Sequence, residues 1–150
     1  MNYEKAVSEF SPCGKDCSRC VSYKNGQVVK LSLALKEALT NFEHMAEKQK
    51  HFNPLFNSYS DFIALLDYFS TGQCEGCRYT STPSPGCSIR SCHKEHQVNF
   101  CAECPNFPCS PQMYTPELIN EWLSNNKRII ENGIEAFYKE EKAKPPSHKL

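Results

Sequence analysis

Nowhere does this chain run apolar for the roughly 20 residues that a bilayer span needs. Its opening residues, Met1-Asn2-Tyr3-Glu4-Lys5-Ala6, lack the apolar core of a secretory signal. An excess of either charge is also missing: 17 basic side chains stand against 17 acidic ones, for a formal net charge of +0. A general nucleic-acid binder draws affinity from a surplus of Lys and Arg over phosphates, and a polybasic membrane-surface protein from the same surplus over lipid. The balance argues against both. There is no glycine-rich phosphate loop and no His-Glu-x-x-His pair. No tandem unit recurs, and no segment alternates apolar and polar residues cleanly enough to be a strand. The expectation is a cytoplasmic protein whose partner is an unidentified protein or small molecule.

Helical spacing is present. From Val28 the apolar positions run Leu31, Leu35, Ala38, Leu39, Phe42, Met45 and Ala46, which predicts one helix of about five turns. Ser58 or Ser60, then Asp61, Phe62, Leu65, Leu66 and Phe69 predict a second. Thr115-Pro116-Glu117 predicts the start of a third, carrying Leu118, Trp122, Ile129, Ile130, Ile134 and Phe137. Asn125-Asn126 and Gly133 weaken that helix and could divide it in two. The apolar stripes read as core, and Trp122 and Tyr138 as packing residues. The fold class is therefore mainly α, a small helical core with an irregular cysteine-rich metal-binding lobe. Residues 1–142 read as a single domain, and 143–150, with Pro145-Pro146, as a disordered tail.

Ten cysteines in 150 residues are the outlier. Without a signal peptide a disulfide framework would have to form in a reducing compartment, where such clusters more often bind metal. Cys13-x3-Cys17-x2-Cys20 packs three thiols into a glycine-containing loop. The same spacing holds the iron–sulfur cluster of radical S-adenosylmethionine enzymes, but a helix-rich chain of this length has no room for their large α/β barrel. Cys74-x2-Cys77 and Cys101-x2-Cys104 are metal knuckles, tight turns that let both sulfurs point inward. Cys87-x4-Cys92 and Cys109 complete the set. All ten, Cys13, Cys17, Cys20, Cys74, Cys77, Cys87, Cys92, Cys101, Cys104 and Cys109, are candidate metal ligands.

Ten thiols exceed two four-thiolate sites by two, so two zinc sites, two iron–sulfur clusters, or one site plus disulfides all fit. The preferred partition groups Cys13, Cys17 and Cys20 with one later thiol and draws a second site from Cys74, Cys77, Cys101, Cys104 and neighbours. His93 and His96 are close enough to Cys92 to ligate, but with thiols in surplus they read as solvent-facing residues of a polar turn. His44 and His51 read as surface residues. Cys92 beside His93 could be written as a nucleophile and base, yet clustered thiols favour ligation over catalysis.

The ordered motifs resemble a known family. They are Cys13-Gly14-x2-Cys17-x2-Cys20-x2-Tyr23, Cys74-x-Gly76-Cys77, Cys87-Ser88-Ile89-Arg90-Ser91-Cys92, Cys101-x2-Cys104-x2-Phe107-Pro108-Cys109 and the segment Asn126 to Ile134. Over residues 11–138 the chain resembles the small prokaryotic family catalogued as domain of unknown function 3795. The resemblance implies a zinc site, no established reaction, and a bacterial or archaeal source. Arg90, between two thiolates, would offset the negative charge of a four-thiolate zinc. Phe107-Pro108 would plug the lobe against the helices and fix the turn before Cys109. The leading reading is a structural zinc protein acting as a binding or adaptor module. Its alternatives are a 4Fe-4S redox or sensing protein and a thiol- or metal-dependent enzyme.

Overall fold

In the computed structural model, which describes residues 3–79, 87–111 and 115–145, helical spacing is realised as six α-helices. They are α1 (Tyr3–Glu9), α2 (Gln27–Ala38), α3 (Glu43–Gln49), α4 (Tyr59–Thr71), α5 (Ile89–Glu95) and α6 (Pro116–Ala143). No strand occurs among the described residues, so the protein is mainly α. No helix among them is long and apolar enough to cross a membrane. The chain divides into two compact units, one drawn from Met1–Ser18 and Cys74–Leu150, the other from Arg19–Gln73. Of the expected tail, residues 146–150 lie outside the described residues, and α6 runs on to Ala143.

The Arg19–Gln73 unit corrects two expectations. The single helix expected from Val28 is broken after Ala38, where Asn41 takes a left-handed φ of 64° and α3 begins anew at Glu43. Its packed face also sits one residue off the expected stripe. Val29 and Ser32 are buried, while Leu31 and Leu35 stay 60% and 44% exposed. On α4 only Leu66 is buried, and Leu65 faces outward. Helices α2 and α4 pack together and are joined by Lys36–Asp67 at 2.7 Å. Tilted ring contacts run from Phe56 through Phe42 and Tyr59 to Phe62 near α3.

The other unit holds the larger core, with Ala6, Phe10, Phe100, Ile129, Phe137 and Tyr138 all buried. The Phe10 ring lies 5.8 Å from Phe137 and 5.3 Å from Tyr138. Each fully buried Phe contributes about 1.5–3 kcal/mol, so these rings carry the unit. The start of α6 is as the sequence predicts: Thr115 Oγ1 accepts from the Leu118 amide at 3.4 Å, and Pro116 occupies the first turn. The division of α6 falls at Gly133 (φ 80°, ψ 158°) and not at Asn125-Asn126. The bend is sharp. Arg128 pairs with Glu140 at 2.5 Å and Glu141 at 2.6 Å, and its guanidinium lies 4.8 Å over the Phe137 ring. In an uninterrupted helix residues twelve apart would be separated by about 18 Å along the axis. Only glycine adopts this backbone readily, since no neighbouring atom lies within 4 Å of the missing Cβ and the constraint is φ alone.

The folded-back arm returns Lys142 to the start of the chain. Its ammonium meets Glu9 at 2.7 Å and Asp16 at 2.8 Å, and lies 5.3 Å over the rings of Phe10 and Tyr138. This contact holds α1 and the first cysteine loop against α6.

Candidate metal centre

All ten cysteines are free thiols. Nine of them belong to the unit built around α1, α5 and α6, and the exposed Cys20 belongs to the other.

The first cysteine loop is shaped by its neighbours in sequence. Ser11, buried, shares a 2.9 Å hydrogen bond with Cys13 Sγ, accepts from the Lys15 amide at 3.0 Å and donates to the Lys15 carbonyl at 3.2 Å. Gly14 turns the chain at φ +85°, and a Cβ there would meet Asn125 Cβ at 2.9 Å, so the glycine lets the loop lie directly on α6. Burial pushes the Cys13 thiol up, the Ser11 hydroxyl works against that rise, and repulsion from Cys77 and Cys87 adds to it.

Cys17 and Cys77 share a hydrogen bond. Cys17 is held protonated by donating to Cys77, while Cys77 is pulled below the usual thiol range by that bond and then by Arg90. The Arg90 guanidinium reaches Cys77 Sγ at 3.9 Å through Nη2. Thus Cys13, Cys17, Cys77 and Cys87 share one neighbourhood with Arg90 among them. Cys77 is the later thiol that lies against the first cluster. Its knuckle partner Cys74 accepts from the Gly76 amide at 3.4 Å. Arg78 fixes that knuckle to the core: it donates to the carbonyls of Val7 and Phe10, both at 3.2 Å, and stacks 5.4 Å over Phe100.

A second neighbourhood forms under α5. Cys92, Cys101, Cys104 and Cys109 line one cavity of about 20 Å³, walled by Ile89, Val98 and Phe107. Such a space holds about one water-sized particle. Burial pushes Cys101 up to about 12 against a hydrogen bond from Trp122 that works to lower it, and repulsion from Cys13, Cys109 and Cys92 adds to the rise. Cys92 is raised by burial and by its proximity to Cys109 and Cys104. The structure therefore divides the thiols differently from the preferred partition, setting the Cys77 and Cys101 knuckles in different neighbourhoods. The reason is the helix between them: α5 carries Arg90 toward one group and Cys92 toward the other.

Three histidine expectations hold and one is corrected. His44, His51 and His96 are exposed, the last at the rim of the cavity. His93 is only 7% exposed, on α5 and not on a polar turn. Its Nδ1 lies 3.3 Å from the Val98 carbonyl, which can only accept, so Nδ1 carries the proton. Burial holds its pKa below the usual imidazole range.

Asn126 is the residue that sequence reasoning missed. Fully buried on α6, it accepts from the Ala102 amide at 2.8 Å and donates to the carbonyls of Cys13 at 3.1 Å and Trp122 at 2.8 Å. One side chain thus joins the first cysteine loop to the Cys101 knuckle. The available signal was its place in the Asn126–Ile134 segment. Phe107 does plug against a helix, its ring 5.0 Å from Trp122.

Among the described residues no three His, Cys, Asp or Glu side chains already form a group that could hold a metal ion. The thiols are neighbours that have not closed on a common point. Residues 9–113 match the model of a family described as Protein of unknown function (DUF3795). No curated protein and no solved structure matches the chain.

Proposed function

We propose that this chain, which belongs to the family described as Protein of unknown function (DUF3795), is a metal–thiolate protein. In this reading Cys13, Cys17, Cys77 and Cys87 hold one structural zinc ion, and the folded unit serves as a binding or adaptor module. The observation that carries it is the shared neighbourhood of these four thiols, with Cys17 hydrogen-bonded to Cys77. Thiolate donors suit zinc, and four of them leave two negative charges to offset. Arg90, 3.9 Å from Cys77 Sγ, is placed to supply one positive charge and a hydrogen bond to sulfur. The donor chemistry fits a thiophilic ion, and binding would complete the gathering of the thiols, as expected where metal affinity and folding are coupled.

The balanced charge favours a protein or small-molecule partner over general nucleic acid. Free thiols in this number suit the reducing cytoplasm.

Elemental analysis of protein purified anaerobically tests the reading. Zinc in a colourless preparation supports it, whereas iron with a brown colour replaces it by the 4Fe-4S alternative. Chelation should lower the melting temperature and open the cysteine-rich segments to protease. A verified metal-free sample that melts unchanged would overturn it.

A further inference from the structure

Under α5 the sequence builds a second set of donors that shares no residue with the first. Cys92 lies three positions after Ile89, on the face of α5 that lines the cavity. Cys101 and Cys104 are set by a tight turn. The Cys101 amide donates to the Pro12 carbonyl at 2.9 Å, and the Cys104 amide to the Cys101 carbonyl at 3.0 Å. Glu103 locks that turn by accepting from the amides of Asn99 at 2.8 Å and Phe100 at 3.1 Å. The chain then turns again, the Phe107 amide donating to the Cys104 carbonyl at 3.0 Å, and Phe107 docks on Trp122 before Cys109 completes the rim. Three separate segments therefore deliver four thiols to a space of about 20 Å³, the size of a single ion or water.

The walls are apolar, and that matters. Four thiolates gathered in such surroundings would repel one another and lose hydration, a cost that stands unless a cation sits among them. A divalent ion reverses this and deprotonates its thiol ligands outright. A second observation points the same way. The buried indole N–H of Trp122 donates a hydrogen bond to the Cys101 sulfur. Indole can only donate, so the sulfur is the acceptor of this bond. A metal-bound Cys101 thiolate is such an acceptor, since hydrogen bonds to ligating sulfur are the usual outer support of these sites. His93 lines the same cavity, its Nδ1 held by the Val98 carbonyl and its Nε2 buried without a hydrogen-bond partner, but four thiols already complete a tetrahedron.

We propose that Cys92, Cys101, Cys104 and Cys109 form a second, separate site for a thiophilic divalent metal ion, with the Trp122 indole as hydrogen-bond donor to the Cys101 sulfur. The chain then binds two ions, and Cys20 and Cys74 are the two thiols left over. This rests on the metal–thiolate reading above, but it adds an independent ligand set and a reporter, because Trp122 is the one tryptophan in the sequence.

Cobalt(II) titration of the full-length, reduced, metal-stripped chain tests it, read by thiolate-to-cobalt absorption and by Trp122 emission. The wild type should take up two equivalents, one of which quenches Trp122. Cys104→Ser should bind one equivalent with no change in emission, whereas Cys77→Ser should bind one and keep the quenching. Should Cys104→Ser fail to fold, Cys109→Ser, which alters an exposed thiol, gives the same reading. Two equivalents retained in either variant would overturn the second site. So would one wild-type equivalent that is lost in Cys77→Ser, a result that leaves the first site standing. No cobalt binding by the wild type would remove both.

Discussion

Asn126 is the residue whose loss should be felt most widely, because it satisfies two cysteine-bearing segments at once. In Asn126→Ala the Ala102 amide and the Cys13 carbonyl each lose a partner inside the protein. The Trp122 carbonyl loses only the side-chain bond, since it also lies within the backbone ladder of α6. An orphaned buried group costs about 1–3 kcal/mol, so two cost about 3 kcal/mol when relaxation is allowed for. For a chain of this length that corresponds to a fall in Tm of about 6–12 °C. Asn125→Ala is the control. It removes a single long bond, 3.4 Å to the Gly14 carbonyl, and should cost about 0.5 kcal/mol. Thermal unfolding followed by circular dichroism decides the matter, with cobalt affinity as the second readout. Asn126→Ala should weaken metal uptake at both thiol groups, whose loops it joins. A Tm within about 2 °C of wild type, or a loss equal to that of Asn125→Ala, would refute the reasoning.

Gly133→Ala meets no neighbouring atom but must adopt φ +80°, so it should cost about 1–3 kcal/mol in urea unfolding. An unchanged midpoint would mean that the bend tolerates a side chain. Phe137→Ala, at a site fully buried between Phe10 and Arg128, should cost about 3–5 kcal/mol by the same measurement. Cys17→Ser should release one metal ion and lower the melting temperature of the whole chain, because the loop closed between Cys17 and Cys77 is worth roughly 4 kcal/mol as a cross-link. Full metal occupancy with an unchanged Tm would count against it. Partial burial works to raise the Glu9 carboxyl, but bonds from Lys142 and Tyr138 outweigh it and hold the pKa below its ordinary value of 4.5. The folded state therefore binds fewer protons than the unfolded one in that range. Stability from this group is complete above about pH 5 and is lost as pH falls through the lowered value. Lys142→Met should flatten the acid limb of a Tm-against-pH curve, and an identical limb would show that Glu9 does not set it.

Local chemistry was legible in the sequence wherever it acts over a few residues. Thr115-Pro116-Glu117 starts α6 because the cap, the ring and the acid all act within one turn. The tight turn at Cys101–Cys104 could be named from spacing, and the family from the order of its motifs. Trp122 and Tyr138 could be read as packing residues from their positions on the helix. By itself the sequence therefore determined a mainly α chain carrying clustered thiols.

Only the tertiary structure decided which thiols are neighbours. Spacing brings Cys101 and Cys104 together, but whether they face Cys77 or Cys92 depends on which residues α5 turns to either side. The burial of Val29 instead of Leu31 has the same origin, since an amphipathic stripe leaves about one residue of freedom in register and the partner helix fixes it. His93 and Asn126 were hidden for a further reason. A polar side chain has no sequence signature for burial, because what makes it safe inside is a partner such as the Val98 carbonyl or the Ala102 amide. One of those partners stands five residues away and the other twenty-four, and folding alone brings each within hydrogen-bond reach.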